Sequence, residues 1–212
     1  MGDEDFHLGA SVRSSDGRVI GRLVHVLVGR DYGLHSLVVK ESSSFSGQRF
    51  SPGSMLVADE FIVPKEAAAS VSHDLVELNL SAADVRRLPP YIGYEERGES
   101  VTEFAEDAAG VLGSAPELPN WMEQVAHKGA DELEIDGGEN VMLGHTGKKL
   151  GQVKDVLFDD DQLVGIVLKP EGWFKHEVIL PRRFLDRSDD MALFANIKEA
   201  DLERLTPFHA GD

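Results

Sequence analysis

The chain contains no cysteine. That excludes a disulfide framework and every reaction that needs a thiolate, and makes a reducing cytoplasm the expected compartment. It is also short of cations, with 21 Lys and Arg against 38 Asp and Glu and a formal charge of −17. A surface of that sign repels phosphate, which argues against direct binding to nucleic acid or to anionic membranes and suits a basic protein partner. No apolar run approaches the roughly 18 residues that a membrane-spanning helix needs. The opening segment Met1-Gly2-Asp3-Glu4-Asp5 is acidic where a signal peptide would be basic and then apolar. The expectation is a soluble, cytoplasmic protein without membrane insertion.

Motifs that would declare a chemistry are missing too. The eight histidines, at 7, 25, 35, 73, 127, 145, 176 and 209, form no His-Glu-x-x-His or other recognised metal spacing. Asp159-Asp160-Asp161 runs into Gln162-Leu163-Val164 where a calcium loop wants alternating ligands and a glycine, so it reads as a solvated turn. Gly144-His145-Thr146-Gly147-Lys148-Lys149 has its glycines too close together for a phosphate loop, and a lysine where Ser or Thr is required. There is no Gly-x-Ser-x-Gly elbow. Asn79-Leu80-Ser81 fits a glycosylation sequon by chance, with nothing else to suggest secretion. No enzyme, no cofactor and no metal site is expected from these patterns.

What the sequence does contain is a repeat. Asp16-Gly17-Arg18-Val19-Ile20-Gly21-Arg22-Leu23-Val24-His25-Val26-Leu27-Val28 and Gly147-Lys148-Lys149-Leu150-Gly151-Gln152-Val153-Lys154-Asp155-Val156-Leu157-Phe158 share one order: turn glycine, apolar residue, second glycine, alternating strand. Gly21 and Gly151 are 130 positions apart. A second strand follows in each, 37–40 and 163–169, and then Glu60-Phe61-Ile62-Val63-Pro64 is answered by Glu177-Val178-Ile179-Leu180-Pro181. Leu75 to Leu78 reads as a further strand, and Leu56-Val57 as the start of another. Ser81-Ala82-Ala83-Asp84 has the form of a capping box with Asp in place of Glu, opening a short helix that ends at Leu88-Pro89-Pro90. Residues 200–208 repeat residues 83–91 at an offset of 117. Two long copies, each made of several short strands, predict two small β-barrels rather than a solenoid.

The domain division that follows is 1–91, 92–132 and 133–212. The middle segment is acidic and punctuated by Gly and Pro. Ser100-Val101-Thr102-Glu103 predicts a helix carrying Phe104, Ala108, Val111 and Leu112 on one side. Asn120 predicts a second, with Trp121, Met122 and Val125 on one face and Gly129 as its stop.

The turn-glycine and alternating-strand order, closed in each half by a strand that ends at proline, resembles the PRC-barrel family, named for the cytoplasmic domain of the photosynthetic reaction-centre H subunit and shared with the C-terminal domain of RimM-type ribosome-maturation factors. The resemblance covers residues 6–80 and 133–197. The second copy follows the pattern more closely, through Gly147, Gly151, Val153, Asp155 and Val156, whereas His25 stands in the first copy where Asp155 stands in the second. The resemblance implies a mainly β fold: two tandem small barrels with short C-terminal helices, packed with pseudo-twofold character and joined by an acidic, partly helical linker. It further implies an assembly surface rather than a catalyst. The H subunit caps a membrane complex and RimM-type proteins recognise a ribosomal protein; this chain shows neither a membrane helix nor a separate RNA-related domain, so neither role transfers.

The function expected is therefore a non-enzymatic adaptor or assembly module that binds protein, with self-association through barrel faces left open. The alternative is a small-molecule or ion-responsive module using the cleft between the barrels. Large aromatics in polar loops are either barrel lids or partner anchors. On that ground Trp173 and Phe174, between Gly172 and Lys175, and Phe45 and Phe50, among Ser and Gly, are the candidate partner-binding residues.

Overall fold

A computed structural model describes residues 4–45, 60–96, 122–126, 128–129, 131–144, 146–171, 176–189, 192–202 and 204–208. The fold is mainly β. Its strands are β1 (Glu4–His7), β2 (Ser11–Arg13), β3 (Val19–Val28), β4 (Leu34–Glu41), β5 (Glu60–Pro64), β6 (Ala68–Ser72) and β7 (Leu75–Leu78), then β8 (Ile92–Glu96) and β9 (Met122–Ala126). They continue with β10 (Leu133–Asp136), β11 (Asn140–Leu143), β12 (Lys148–Asp159), β13 (Gln162–Pro170), β14 (Val178–Pro181), β15 (Leu185–Asp189) and β16 (Ala192–Ala195). One-turn helices α1 (Ala82–Val85) and α2 (Glu199–Leu202) follow β7 and β16.

Two seven-stranded sheets carry the same strand order, β5-β4-β3-β2-β7-β6 in one and β14-β13-β12-β11-β16-β15 in the other. Each closes on itself. β5 and β6 stand at opposite ends of their sheet, yet a single 3₁₀ turn, Lys65–Ala67, joins them, so the two ends must meet. Arg182–Phe184 does the same between β14 and β15. Two of the four outer strands are partly covered: Pro90 bridges Phe61 on β5 and Pro207 bridges Val178 on β14, which occupies some of the edge donors that invite aggregation.

The glycines of the repeat have two jobs. Gly17 and Gly147 sit at φ 80° and 71° in the turns, a region costly for side chains. Gly21 and Gly151 are within strands, where a Cβ would lie 2.0 Å and 2.2 Å from the carbonyl oxygens of Lys40 and Lys169. These two admit close backbone contact rather than a turn. Ser81 caps α1 as expected, its Oγ accepting from the Asp84 amide at 3.3 Å, but Asp84 Oδ2 accepts from the Ser81 hydroxyl at 2.6 Å where a full capping box would use the Ser81 amide.

The departure from the linear reading is an exchange of strands. β1 precedes the first sheet in the chain but pairs antiparallel with β12, Phe6 opposite Val156 and His7 opposite Asp155. β10 precedes the second sheet but pairs with β3, Ile135 opposite Val26 and Asp136 opposite His25. Each sheet receives its seventh strand from the other half. The two halves touch elsewhere as well: Gly33 bridges Gln162, and Leu8 lies against Gly137. Most of the buried apolar side chains of both sheets form one contiguous cluster.

The middle segment differs from its expected helices where it is described. Residues 122–126 form β9, hydrogen-bonded in register with β8, not the helix predicted from Asn120. So short a segment gains little as an isolated helix, and β8 offers it a complete antiparallel ladder. The helix expected from Ser100, and the strand expected at Leu56-Val57, lie outside the described residues.

Candidate functional site

Strand β3 would point Leu23 and His25 to the same face if it were regular. It is not: the β3–β4 register shifts between Leu23 and His25. Leu23, Val26 and Val28 accordingly enter the core together, spaced by three and then two, while Leu27 joins a separate outer cluster with Val38 and Tyr91. The bulge turns His25 outward, beneath the incoming strand β10. The same irregularity recurs in β12 between Val153 and Asp155, where Val153, Val156 and Phe158 face the core and Asp155 faces the incoming β1. A bulge of this kind re-aims one side chain without ending the strand.

The result is two stations of reversed polarity. In the first, the sheet supplies the base and the exchanged strand the acids: His25 Nδ1 lies 3.3 Å from both Glu134 and Asp136 of β10, and its Nε2 is 3.6 Å from Glu60 of β5. Nδ1 points between its two carboxylates and aligns a hydrogen bond with neither. The Tyr91 ring packs against the imidazole at 5.6 Å between centroids, and its hydroxyl donates to Glu134 Oε2 at 2.5 Å. Lys40 pairs with Glu60 at 3.4 Å and Lys128 with Glu134 at 3.6 Å. Three carboxylates thus face three cations when His25 is protonated.

Burial opposes that protonation, but Asp136, Glu60 and Glu134 overcome it and raise the His25 pKa to about 9. Glu60 is held below the usual carboxylate range, chiefly by its contact with His25. Burial, then the hydrogen bond to Glu134, pushes the Tyr91 phenol up. Glu139, at the turn after β10, is raised to about 7, first by burial and then by the neighbouring charges of Asp136 and Glu134.

In the second station the sheet supplies the acid and the exchanged strand the base. Asp155 is 2% exposed; its Oδ1 accepts from His7 Nδ1 and, at 3.2 Å, from the Leu8 amide, while Oδ2 has no hydrogen-bond partner among the described residues. His7 stacks on His73, from the β6–β7 turn of the first sheet, with ring centroids 4.7 Å apart.

A third contact joins the hairpin tips. Leu34 N donates to Asp161 O at 2.8 Å and Leu163 N to Tyr32 O at 2.9 Å. Tyr32, Asp160 and Asp161 hold positive φ values of 64°, 45° and 63°, as tight hairpin turns require. Lys65 reaches Asp161 at 2.9 Å, and Arg182 donates to the Asp31 carbonyl at 3.1 Å and covers the Tyr32 ring. Lys65 and Arg182 each open the 3₁₀ turn of their own half, so this clasp is also reciprocal. The acidic run at 159–161 is a turn as expected, but it docks on the other half.

Of the four loop aromatics expected to bind a partner, Phe45 is described. It is 5% exposed, inside the core cluster, with the Arg86 guanidinium 4.9 Å above its ring. It is a lid on the first sheet, unavailable as an exposed anchor in this conformation. Phe50, Trp173 and Phe174 lie outside the described residues. Sequence reasoning noticed His25 as the exception to Asp155 but missed His7, Asp136 and Tyr91. The signal was present: His7 and Asp136 take equivalent places in the two copies, so the repeat already held an acid and a base in swapped positions.

Among the described residues, no helix is long and apolar enough to cross a membrane. A comparison with curated proteins finds no match. Residues 137–201 match the family described as the PRC-barrel domain. That span runs from the turn before β11 to within α2, the whole of the second sheet's own strands, and the second half of this protein holds a PRC-barrel domain.

Proposed function

We propose that this protein is a non-catalytic assembly module that binds protein, built from two PRC-type barrels at 1–91 and 133–212 flanking an acidic connector. The observation that carries this reading is the reciprocal strand exchange in a chain with a PRC-barrel domain, a domain that generally serves interaction or assembly. The polar groups brought together at the two stations hold strands: His25 faces Glu134 and Asp136 of β10, and Asp155 faces His7 of β1, each across the exchange. Two barrels locked together offer a partner a surface wider than one small barrel could. The acidic surface favours a basic partner, in the cytoplasm.

The loop aromatics Trp173, Phe174 and Phe50 are the proposed contact points, since aromatics anchor interfaces disproportionately. The test is affinity capture with the whole chain as bait. Half-chains are unsuitable baits, because residues 1–95 would lack the β10 they receive and residues 130–212 would lack β1. One stoichiometric partner that Trp173→Ala releases, with the variant's melting temperature unchanged, supports the proposal. Equal capture by the variant removes that loop from the interface, and a bait with no partner at low as well as high salt counts against an adaptor.

A further inference from the structure

The second station holds more than a strand. His7 on β1, and His73 and Asp74 in the turn between β6 and β7, bring one potential ligand atom each to within 4.8 Å of one another. The geometry points to a binding site for a borderline divalent transition ion of the Zn²⁺ class at His7, His73 and Asp74. No sequence motif marks it, because His7 is far from the other two ligands in the chain and meets them through the long-range pairing of β2 with β7, which sets Ser11 against Asp74.

Three observations carry the assignment. First, His7 is already oriented as a metal-binding histidine is. Its Nδ1–H is donated to Asp155, which leaves the Nε2 lone pair as the one that can ligate; a carboxylate behind a histidine is the usual outer partner of such a ligand. Second, Asp155 is a buried carboxylate with one oxygen unpartnered among the described residues. A cation bound at His7 would polarise the imidazole toward it, and so offset a negative charge that is otherwise met by His7 and one amide. Third, the turn carrying the other two ligands is fixed: the Asp74 carbonyl accepts from the Ser11 amide at 2.9 Å, and Ser72 Oγ donates to the Leu75 carbonyl at 3.1 Å. Two imidazoles and one carboxylate suit Zn²⁺, Co²⁺ or Ni²⁺, whereas Ca²⁺ and Mg²⁺ want mostly oxygen. His73 and Asp74 are exposed, so an ion can enter and keep water in its remaining position.

The consequence is a clasp between halves. His7 belongs to a strand of the second sheet, and His73 and Asp74 to a turn of the first. An ion held by all three ties the exchanged strand to the sheet it left, and binding of that ion stabilises the paired arrangement by mass action.

The experiment is a Zn²⁺ titration of the chelator-stripped full chain, followed by calorimetry and melting temperature, with Co²⁺ absorption as a readout of coordination and Mg²⁺ as the control for an acidic surface. His73→Ala and Asp74→Asn alter exposed turn side chains, so both variants should fold. The expected result is one equivalent of Zn²⁺ bound, a melting temperature that rises with Zn²⁺ and not with Mg²⁺, and at least a tenfold loss of affinity in each variant. His35→Ala, a histidine outside the cluster, should bind as the parent does. Zn²⁺ binding of equal strength in the parent and both variants, or no binding in the parent, overturns the site.

Discussion

Replacing His25 with Gln leaves the shape of the first station nearly intact and removes its central cation. Glu60, Glu134 and Asp136 then face one another with, among the described residues, Lys40 and Lys128 to balance them. Raising a histidine from 6.5 to about 9 corresponds to about 3 kcal/mol of stability linked to the charged form. The sign follows from the direction of the shift. Because the folded value is the higher, this stability is fully present below pH 6.5, declines as pH rises from there, and is gone once pH passes about 9. His25→Gln should therefore cost about 3 kcal/mol near pH 6 and little near pH 10. The assay is urea unfolding of parent and variant at several pH values between 6 and 10, with the difference in stability plotted against pH. A difference that converges as pH rises supports the imidazolium account. A cost equal at pH 6 and pH 10 would show that His25 acts through packing alone and refute the electrostatic reasoning.

Other expectations rest on single features. Gly21→Ala and Gly151→Ala place a methyl about 2 Å from a carbonyl oxygen, and each should lower stability by about 3 kcal/mol or more in denaturant unfolding, the range of severe overpacking. Phe45→Ala should cost about 3 kcal/mol, as loss of a buried aromatic does, where an exposed anchor would cost almost nothing. Lys65→Ala and Arg182→Ala should each change global stability by less than about 1 kcal/mol, since both contacts are solvent-accessible; the expected effect is faster amide exchange at Leu34 and Leu163, the donors of the hairpin clasp.

Much of the barrel was legible in the sequence because its determinants are local. Alternation marked β3 from 19 to 28, proline stopped β5 at 64, and Ser81 with Asp84 announced α1. The family resemblance was correct for the second half, where Gly147, Gly151 and Asp155 all follow the pattern. The exchange was not legible in the same way. Glu4–His7 and Leu133–Asp136 are very short, and a short strand's pattern records that it pairs but not with which sheet. The bulges were readable in principle, since core residues at 23, 26 and 28 and at 153, 156 and 158 break strict alternation at the same place. β9 was misread because Met122 and Val125 are three apart, a spacing shared by a helix face and by a strand of mixed pattern. What decided it was β8, a partner strand from before the connector, which no local rule sees. The same blindness hid His7 beside His73: their meeting depends on long-range pairing.

The central claim is that the halves are one body because each completes the other's sheet. The most direct measurement is cross-strand nuclear Overhauser contact in the intact chain, between Ile135 and Val26 and between Phe6 and Val156. The exchange predicts backbone contacts at both pairs, unchanged on dilution. Contacts from Phe6 to first-sheet strands, or the absence of both predicted pairs in a folded chain, would contradict it.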